Sequence, residues 1–124
     1  MQKLVLIVGA ISAGLTVAIG AFGAHALKAM LEASQRTETF NTGVSYQFYH
    51  SLALLAIGLL MFKTPHKFLQ YAAWSHIAGI LLFSGSLYIL CLSGNTKWGA
   101  VTPIGGLLFI AGWIFMAVAL SKTL

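Results

Sequence analysis

The chain has 124 residues, of which 59% are hydrophobic and only 7% charged, and seven Lys and Arg against two acidic residues give a formal net charge of +5. This composition excludes an ordinary soluble domain, in which charged residues make up about a quarter of the chain. The basic residues stand singly between apolar segments, which excludes a nucleic-acid-binding patch and favours contact with anionic lipid headgroups.

Four stretches of the chain contain no charged residue, and each is longer than the roughly 20 residues that cross a hydrocarbon core of about 30 Å. These stretches are Leu4–Leu27, Thr39–Phe62, Phe68–Thr96 and Trp98–Ser121. The outer faces of such helices must therefore meet lipid. We predict an all-α fold, an integral membrane four-helix bundle that forms a single membrane domain over residues 1–124.

The first predicted span covers residues 4–24. Its apolar core is longer than the roughly 7–15 residues of a signal-peptide h-region, so we expect a retained span. Residues 25–36 then form a short amphipathic helix, with Leu27 and Leu31 on an apolar face and Lys28 on a polar one. This pattern predicts a helix that lies along the membrane interface between spans one and two.

The second predicted span covers residues 44–62. Polar residues and a glycine at positions 37–43 are expected to interrupt the chain before it, with Asn41 or Thr42 capping the new helix.

The last two spans are predicted at residues 68–92 and 103–120. The short polar turn at residues 63–67 makes spans two and three antiparallel neighbours. Thr102 and Pro103 are typical of an N-cap and a first helical residue at the start of span four.

Basic residues in short loops predict orientation, because they are retained on the cytoplasmic side. One side of the membrane would have Lys3, Lys63, Lys67 and Lys122, and the other Lys28, Arg36 and Lys97. The majority is four to three, and we expect both termini in the cytoplasm.

Small residues recur along the predicted helices, where they let backbones approach closely in lipid. Those expected to form packing faces are Gly9, Ser12, Ala13, Thr16, Gly20, Gly23, Gly79, Gly105 and Gly112. We expect them to hold the bundle together. The alternative is a seam between copies of the chain in a homo-oligomer, since four helices can present more small faces than one bundle buries.

Polar residues at membrane depth are costly and usually face the interior of a bundle. The candidates for a polar cavity are His25, Tyr46, Gln47, His50 and His76. Two interpretations compete. In one, the side chains form hydrogen bonds across helices and stabilise the bundle. In the other, they line a cavity that moves protons or binds a ligand.

Enzymatic and metal chemistry find little support in the sequence. The carboxylates of Glu32 and Glu38 lie in a loop, no pair of histidines has the H-x-x-x-H spacing, and Cys91 is alone. A nucleophile elbow, a phosphate loop and a dinucleotide fingerprint are also missing. We therefore expect no enzyme, no metal and no cofactor.

Several motifs in order along the chain are shared with a known family. They are Gly20–His25, Thr42-Gly43 with Tyr46-Gln47 and His50, Phe83–Tyr88, Thr102–Gly106 and Gly112-Trp113. The chain resembles the membrane-protein family called domain of unknown function 423, related to eukaryotic transmembrane protein 256, and departs from it at Phe40, where relatives often have Trp. The resemblance implies a four-span protein of the bacterial inner (plasma) membrane.

The resemblance implies no activity, so the functional expectation rests on the residues. Abundant small-residue faces and sparse ionisable groups favour a structural or interaction role, in membrane integrity or in support of a partner protein, with membrane lipids as the main contacts. The alternative is a small transporter or channel for protons or a small solute, using the residues around Gln47 and His50.

Overall fold

The apolar stretches of the chain form helices, since only a helix satisfies the backbone polar groups of a single segment in lipid. The computed structural model describes residues 1–124 and contains no strands. Its α-helices are α1 (Gln2–Ala24), α2 (Lys28–Ala33), α3 (Thr37–Lys63), α4 (Lys67–Gly79), α5 (Gly85–Ser93) and α6 (Thr102–Thr123). A π turn at Ile80–Ser84 joins α4 to α5, and a 3-10 turn at Thr96–Ala100 precedes α6.

Four helical segments are long and apolar enough to cross a membrane. They are Gln2–Ala24, Thr37–Lys63, Lys67–Ser93 and Thr96–Thr123. The predicted all-α, four-span architecture is confirmed. Spans one and two pack along each other, as do α4 and α6.

The second span begins at Thr37, and the expectation that residues 37–43 interrupt the chain is wrong. The hydroxyl of Thr42 donates to the carbonyl of Glu38 within the same helix, at 2.9 Å, and caps nothing. Gly43 serves close packing, because a Cβ there would lie 3.0 Å from Cε1 of Tyr88. Phe40, one turn before Gly43, is buried and anchors this end of α3 to the bundle.

The interfacial helix α2 is shorter than the predicted residues 25–36. Gln35 has a left-handed backbone (φ 57°), which ends the helix. The N–H of Arg36 donates to the carbonyl of Leu31 and the N–H of Gln35 to that of Glu32. These are the two bonds of a Schellman motif, and they satisfy carbonyls that the helix end would leave free.

Helix α6 begins one residue before the predicted start of the fourth span. Thr102 is the first residue of α6 and Pro103 follows it in the first turn. The Thr102 hydroxyl makes no cap hydrogen bond, because Thr102 is already inside the helix and Val101 is in the N-cap position. Its oxygen instead lies 2.6 Å from Oγ of Ser86 on α5. This side chain therefore joins the third span to the fourth.

The sequence did not predict the π turn at Ile80–Ser84. Ser84, its last residue, donates from Oγ to the carbonyl of Gly43 at 2.7 Å. Phe83 packs beside Gly105, where an added Cβ would fall 2.7 Å from the Phe83 Cα. Single π turns within α-helices are rare and occur frequently at functional sites.

The buried apolar residues form two clusters at opposite ends of the bundle. The larger contains Leu54, Ile57 and Leu69, and the smaller contains Leu31 and Phe40. Positions 47–51 of α3 lie between the two clusters along the chain and contain the buried side chains of Gln47, His50 and Ser51. A polar layer therefore separates two apolar ends.

Candidate functional site

The first part of the polar layer is a hydrogen-bond network that connects three spans. Gln47 donates from Nε2 to Ser12, 3.2 Å from its carbonyl oxygen and 3.3 Å from its Oγ. The hydroxyl of Tyr88 donates to Oε1 of Gln47 at 2.6 Å. Ser51 Oγ lies 2.6 Å from both Ser12 Oγ and the Gln47 carbonyl. Both ends of the Gln47 amide are therefore occupied by protein groups.

The second part is a cluster of imidazole and aromatic rings. Trp113 donates from Nε1 to Nε2 of His50 at 3.0 Å, and the other ring nitrogen of His50 lies 2.7 Å from the Tyr46 carbonyl. An indole N–H can only donate, so Nε2 of His50 must accept. The hydrogen of neutral His50 is then on Nδ1, which donates to Tyr46. The neighbours of His50 thus select one tautomer.

Phe109 and two glycines hold these rings in place. Phe109 stacks on His50 with ring centroids 3.5 Å apart and planes 10° apart. An added Cβ at Gly79 would lie 2.5 Å from Cδ1 of Phe109, and one at Gly112 would lie 2.7 Å from Cε1 of His76. A methyl group at either glycine would force these rings to move.

His76 is fully buried, and neither of its ring nitrogens has a hydrogen-bond partner. Its ring centroid lies 5.0 Å from that of His50 and 5.0 Å from that of Trp113. Buried polar groups without a partner are rare in native structures, and each costs about 1–3 kcal/mol. His76 is therefore the most unusual polar group of this layer.

The five residues predicted for one polar cavity lie in separate places. His50, His76 and Tyr46 are close together, with Tyr46 and His50 ring centroids 6.1 Å apart. Gln47 belongs to the network with Ser12 and Tyr88. His25 is exposed at the end of α1.

The predicted packing residues are also distributed among different contacts. Gly9 faces Ser51 and Leu54, Gly20 faces Val44, Gly23 faces Phe40 and Gly105 faces Phe83. Ser12 and Thr16 are buried, whereas Ala13 is only partly so.

The sequence did not identify Trp113 or Tyr88 as partners of the polar residues. The available signal was position: Trp113 lies ten residues beyond Pro103, about 15 Å into the membrane at 1.5 Å per residue. Tryptophan is enriched at the interfaces, so one near the middle of a span indicates a need for its N–H inside the bundle. The structure contains no group of three or more potential metal ligands.

Comparison with known proteins agrees with this architecture. A family model described as "Protein of unknown function (DUF423)" matches residues 19–106. The chain belongs to this family. No solved structure matches the chain.

Relatives in the family are named as membrane proteins. A UPF0382 membrane protein of Staphylococcus aureus (strain bovine RF122 / ET3-1) is 44% identical over 121 residues, which cover 98% of each chain. The UPF0382 membrane protein YwdK of Bacillus subtilis (strain 168) is 43% identical, with 99% of this chain and 100% of the relative covered. The UPF0382 inner membrane protein YgdD of Escherichia coli (strain K12) is 40% identical, with 94% and 88% covered. The chain is a bacterial multi-pass membrane protein.

Proposed function

We propose that this protein has a structural or interaction role in the membrane and is not an enzyme. The observation that supports the proposal is the network in which Gln47 bonds to Ser12 of span one and Tyr88 of span three. Hydrogen bonds between spans fix helices relative to one another. Because both ends of the Gln47 amide are bonded to protein groups, we infer that this part of the polar layer stabilises the bundle.

The outer surface supports the same role. Ile11, Leu59 and Leu107 are each about 60% exposed or more, and no charged side chain interrupts the spans that present them. A rigid bundle with apolar faces has membrane lipids as its partners, and these faces also suit a second copy or another membrane protein. Nucleic acid has no part in this proposal.

The transporter alternative is not favoured. Gln47, which it would use to line a path, is occupied by Ser12 and Tyr88, and His50 is occupied by Tyr46 and Trp113. Solute passage would require these bonds to break at membrane depth, where unpaired polar groups are costly.

We also propose a location in the inner (plasma) membrane with both termini in the cytoplasm. The Escherichia coli relative is named an inner membrane protein, which supports the location. The excess of lysines on the side of the termini supports the orientation. Single cysteines introduced at Lys3 and Lys97 of a Cys91→Ala variant test it. Only the one at position 97 should react with an impermeant maleimide added to intact cells.

Native mass spectrometry of the protein extracted gently from its own membrane tests the proposed role. We expect a discrete multimer, or a stoichiometric protein or lipid mass bound to the chain. The contradicting result is a bare monomer that, once in liposomes, catalyses a saturable proton or solute flux that is lost in His50→Ala.

A further inference from the structure

One end of the bundle has exposed lysines on all four spans and no acidic side chain. The spans meet there in the larger apolar cluster. This cluster contains Val5 of α1, Met61 of α3, Leu69 of α4 and Ala119 of α6. Each of these residues is two or three positions along the chain from an exposed lysine. The lysines, named here the end lysines, are Lys3, Lys63, Lys67 and Lys122.

Both acidic side chains of the protein lie at the opposite end of the bundle. Glu32 follows Leu31 and Glu38 precedes Phe40 by two residues, and Leu31 and Phe40 belong to the smaller cluster. Three basic residues share that end, namely Lys28, Arg36 and Lys97. Of the formal charge of +5, four units therefore come from the end lysines and only one from the opposite end. The terminal amine and carboxylate lie at the lysine end and offset each other. No side chain neutralises the end lysines.

Two of the end lysines stand where the helix itself is positive. Lys3 and Lys67 are in the first turns of α1 and α4, and neither turn contains an acidic residue. The helix macrodipole places a partial positive charge at a helix N-terminus, which disfavours a cation and favours an anion. An anion at this end of the bundle would therefore be attracted by the lysines and by the two helix ends together.

The end lysines lie at the level of the lipid headgroups, because each stands at the end of a membrane-spanning helix. Only three residues separate Lys63 from Lys67, so this turn stays close to the membrane surface. Next to it along the helices, Phe62, Tyr71 and Trp74 are 71%, 46% and 52% exposed. Tyr and Trp rings are enriched at the membrane interface. A partner at this end thus meets ammonium groups with its polar part and apolar rings with its hydrocarbon part.

We propose that the end lysines bind anionic phospholipids in preference to zwitterionic ones. The negatively charged headgroup would contact the ammonium groups of Lys63 and Lys67, and the acyl chains would lie along the exposed rings below them. A zwitterionic headgroup has a cation of its own, which the lysines repel. An acidic protein segment would supply the charge but no acyl chain for the rings. The inference rests on the proposed structural role, in which membrane lipids are partners, and names the lipid class and the end of the bundle that binds it.

The chain offers a matched control for the removal of two end lysines. Lys63→Gln/Lys67→Gln and Lys28→Gln/Lys97→Gln each remove two positive charges, and all four side chains are exposed. Surface substitutions of this kind usually have little effect on stability. A third variant, Lys63→Arg/Lys67→Arg, changes the shape of the side chains and retains their charge.

The test is native mass spectrometry of the full chain released from nanodiscs that contain equal amounts of phosphatidylglycerol and phosphatidylcholine. We expect the wild type to retain phosphatidylglycerol in about tenfold excess or more. Lys63→Gln/Lys67→Gln should lower this preference about fivefold or more, since each lysine near the surface contributes to the attraction of anionic lipid. The Lys28→Gln/Lys97→Gln and Arg variants should keep it. Equal retention of the two lipids, equal losses in the two Gln variants, or a loss in the Arg variant would each overturn the proposal.

A second titration tests an acidic protein segment as the partner, with soluble polyglutamate as the probe and nanodiscs of phosphatidylcholine alone. Binding that is lost in Lys63→Gln/Lys67→Gln, together with equal retention of the two lipids, would assign this end to an acidic protein and overturn the proposal. Failure here is distinct from failure of the proposed structural role. That role is contradicted by a saturable flux lost in His50→Ala, whichever lipid the end lysines prefer.

Discussion

Trp113 on the fourth span donates its indole hydrogen to Nε2 of His50 on the second, over 3.0 Å. The bond spans the two helix pairs of the bundle and sets the position of the hydrogen on His50. We expect the imidazole nitrogen shifts of ¹⁵N-labelled protein in lipid to show His50 with its hydrogen on Nδ1. The Trp113→Phe variant should lose this preference, whereas Trp74→Phe, a change at an exposed position of α4, should keep it. A hydrogen on Nε2 in the wild type is incompatible with the bond.

Removal of the Trp113 donor should also lower stability. In Trp113→Phe the Nε2 acceptor of buried His50 has no partner, which costs about 1–3 kcal/mol of unfolding free energy. Titration with sodium dodecyl sulfate in mixed micelles measures the loss. Trp74→Phe should change the unfolding free energy by no more than about 0.5 kcal/mol, as is usual for surface positions. Equal losses in the two variants would contradict a specific role for the bond.

The two buried histidines should respond oppositely to the same replacement. His50→Leu leaves the indole N–H of Trp113 without an acceptor and should destabilise the bundle by about 1–3 kcal/mol. His76→Leu removes two nitrogens that have no partner and should leave the unfolding free energy unchanged or raise it. The same titration compares the two variants. A large loss in His76→Leu would show that its nitrogens are hydrogen-bonded in the membrane.

The neighbouring glycines at the start of α6 should differ sharply in tolerance. An added Cβ at Gly105 collides with the backbone nitrogen of Phe83, so Gly105→Ala must separate α6 from the π turn. We expect a loss of about 1–3 kcal/mol or more from this overpacking. Gly106→Ala meets only ordinary contacts and is the control. The same midpoint of thermal unfolding in detergent for the two variants would contradict the close approach of α6 to the π turn.

The bond between Gln47 and Tyr88 suits a double-mutant cycle. Gln47→Leu leaves the hydroxyl of partly buried Tyr88 unpaired, and Tyr88→Phe leaves Oε1 of Gln47 unpaired. Each single change should lower the unfolding free energy by about 1–3 kcal/mol. The double variant should lose clearly less than the sum, with a coupling of about 0.5–1.7 kcal/mol, the range for polar contacts between membrane helices. Strict additivity would mean that the two side chains do not interact.

The distribution of charge was sufficient to predict four spans, because a charged residue within a lipid-facing helix is costly over the whole width of the hydrocarbon core. Local patterns predicted the ends of helices less well. Considered alone, the polar side chains and the glycine at residues 37–43 indicate a break between two helices. Burial of Phe40 and the contact between Gly43 and Tyr88 outweigh that local preference, and these contacts join residues far apart in the chain.

The sequence predicted which polar residues belong to the site but not which partners they bond to, and the reason is geometric. Gln47 and His50 are three residues apart on α3 and were assigned to one face. Such positions differ by about 60° around a helix, and α3 has neighbours on several sides. Gln47 therefore meets Ser12 and Tyr88, while His50 meets Trp113. Neither partner could be assigned before the arrangement of the helices was known.

The π turn at Ile80–Ser84 gives the third span two different orientations along its length. One extra residue rotates everything beyond it by about 100° around the helix axis. Before the turn, Gly79 and His76 meet Phe109 and Gly112 of α6, whereas beyond it Tyr88 bonds to Gln47 of α3. In a regular helix of the same sequence, one of these two sets of contacts would be rotated away from its partner by about 100°. The third span therefore works as two half-helices in a single membrane crossing, each with its own orientation toward α3 and α6.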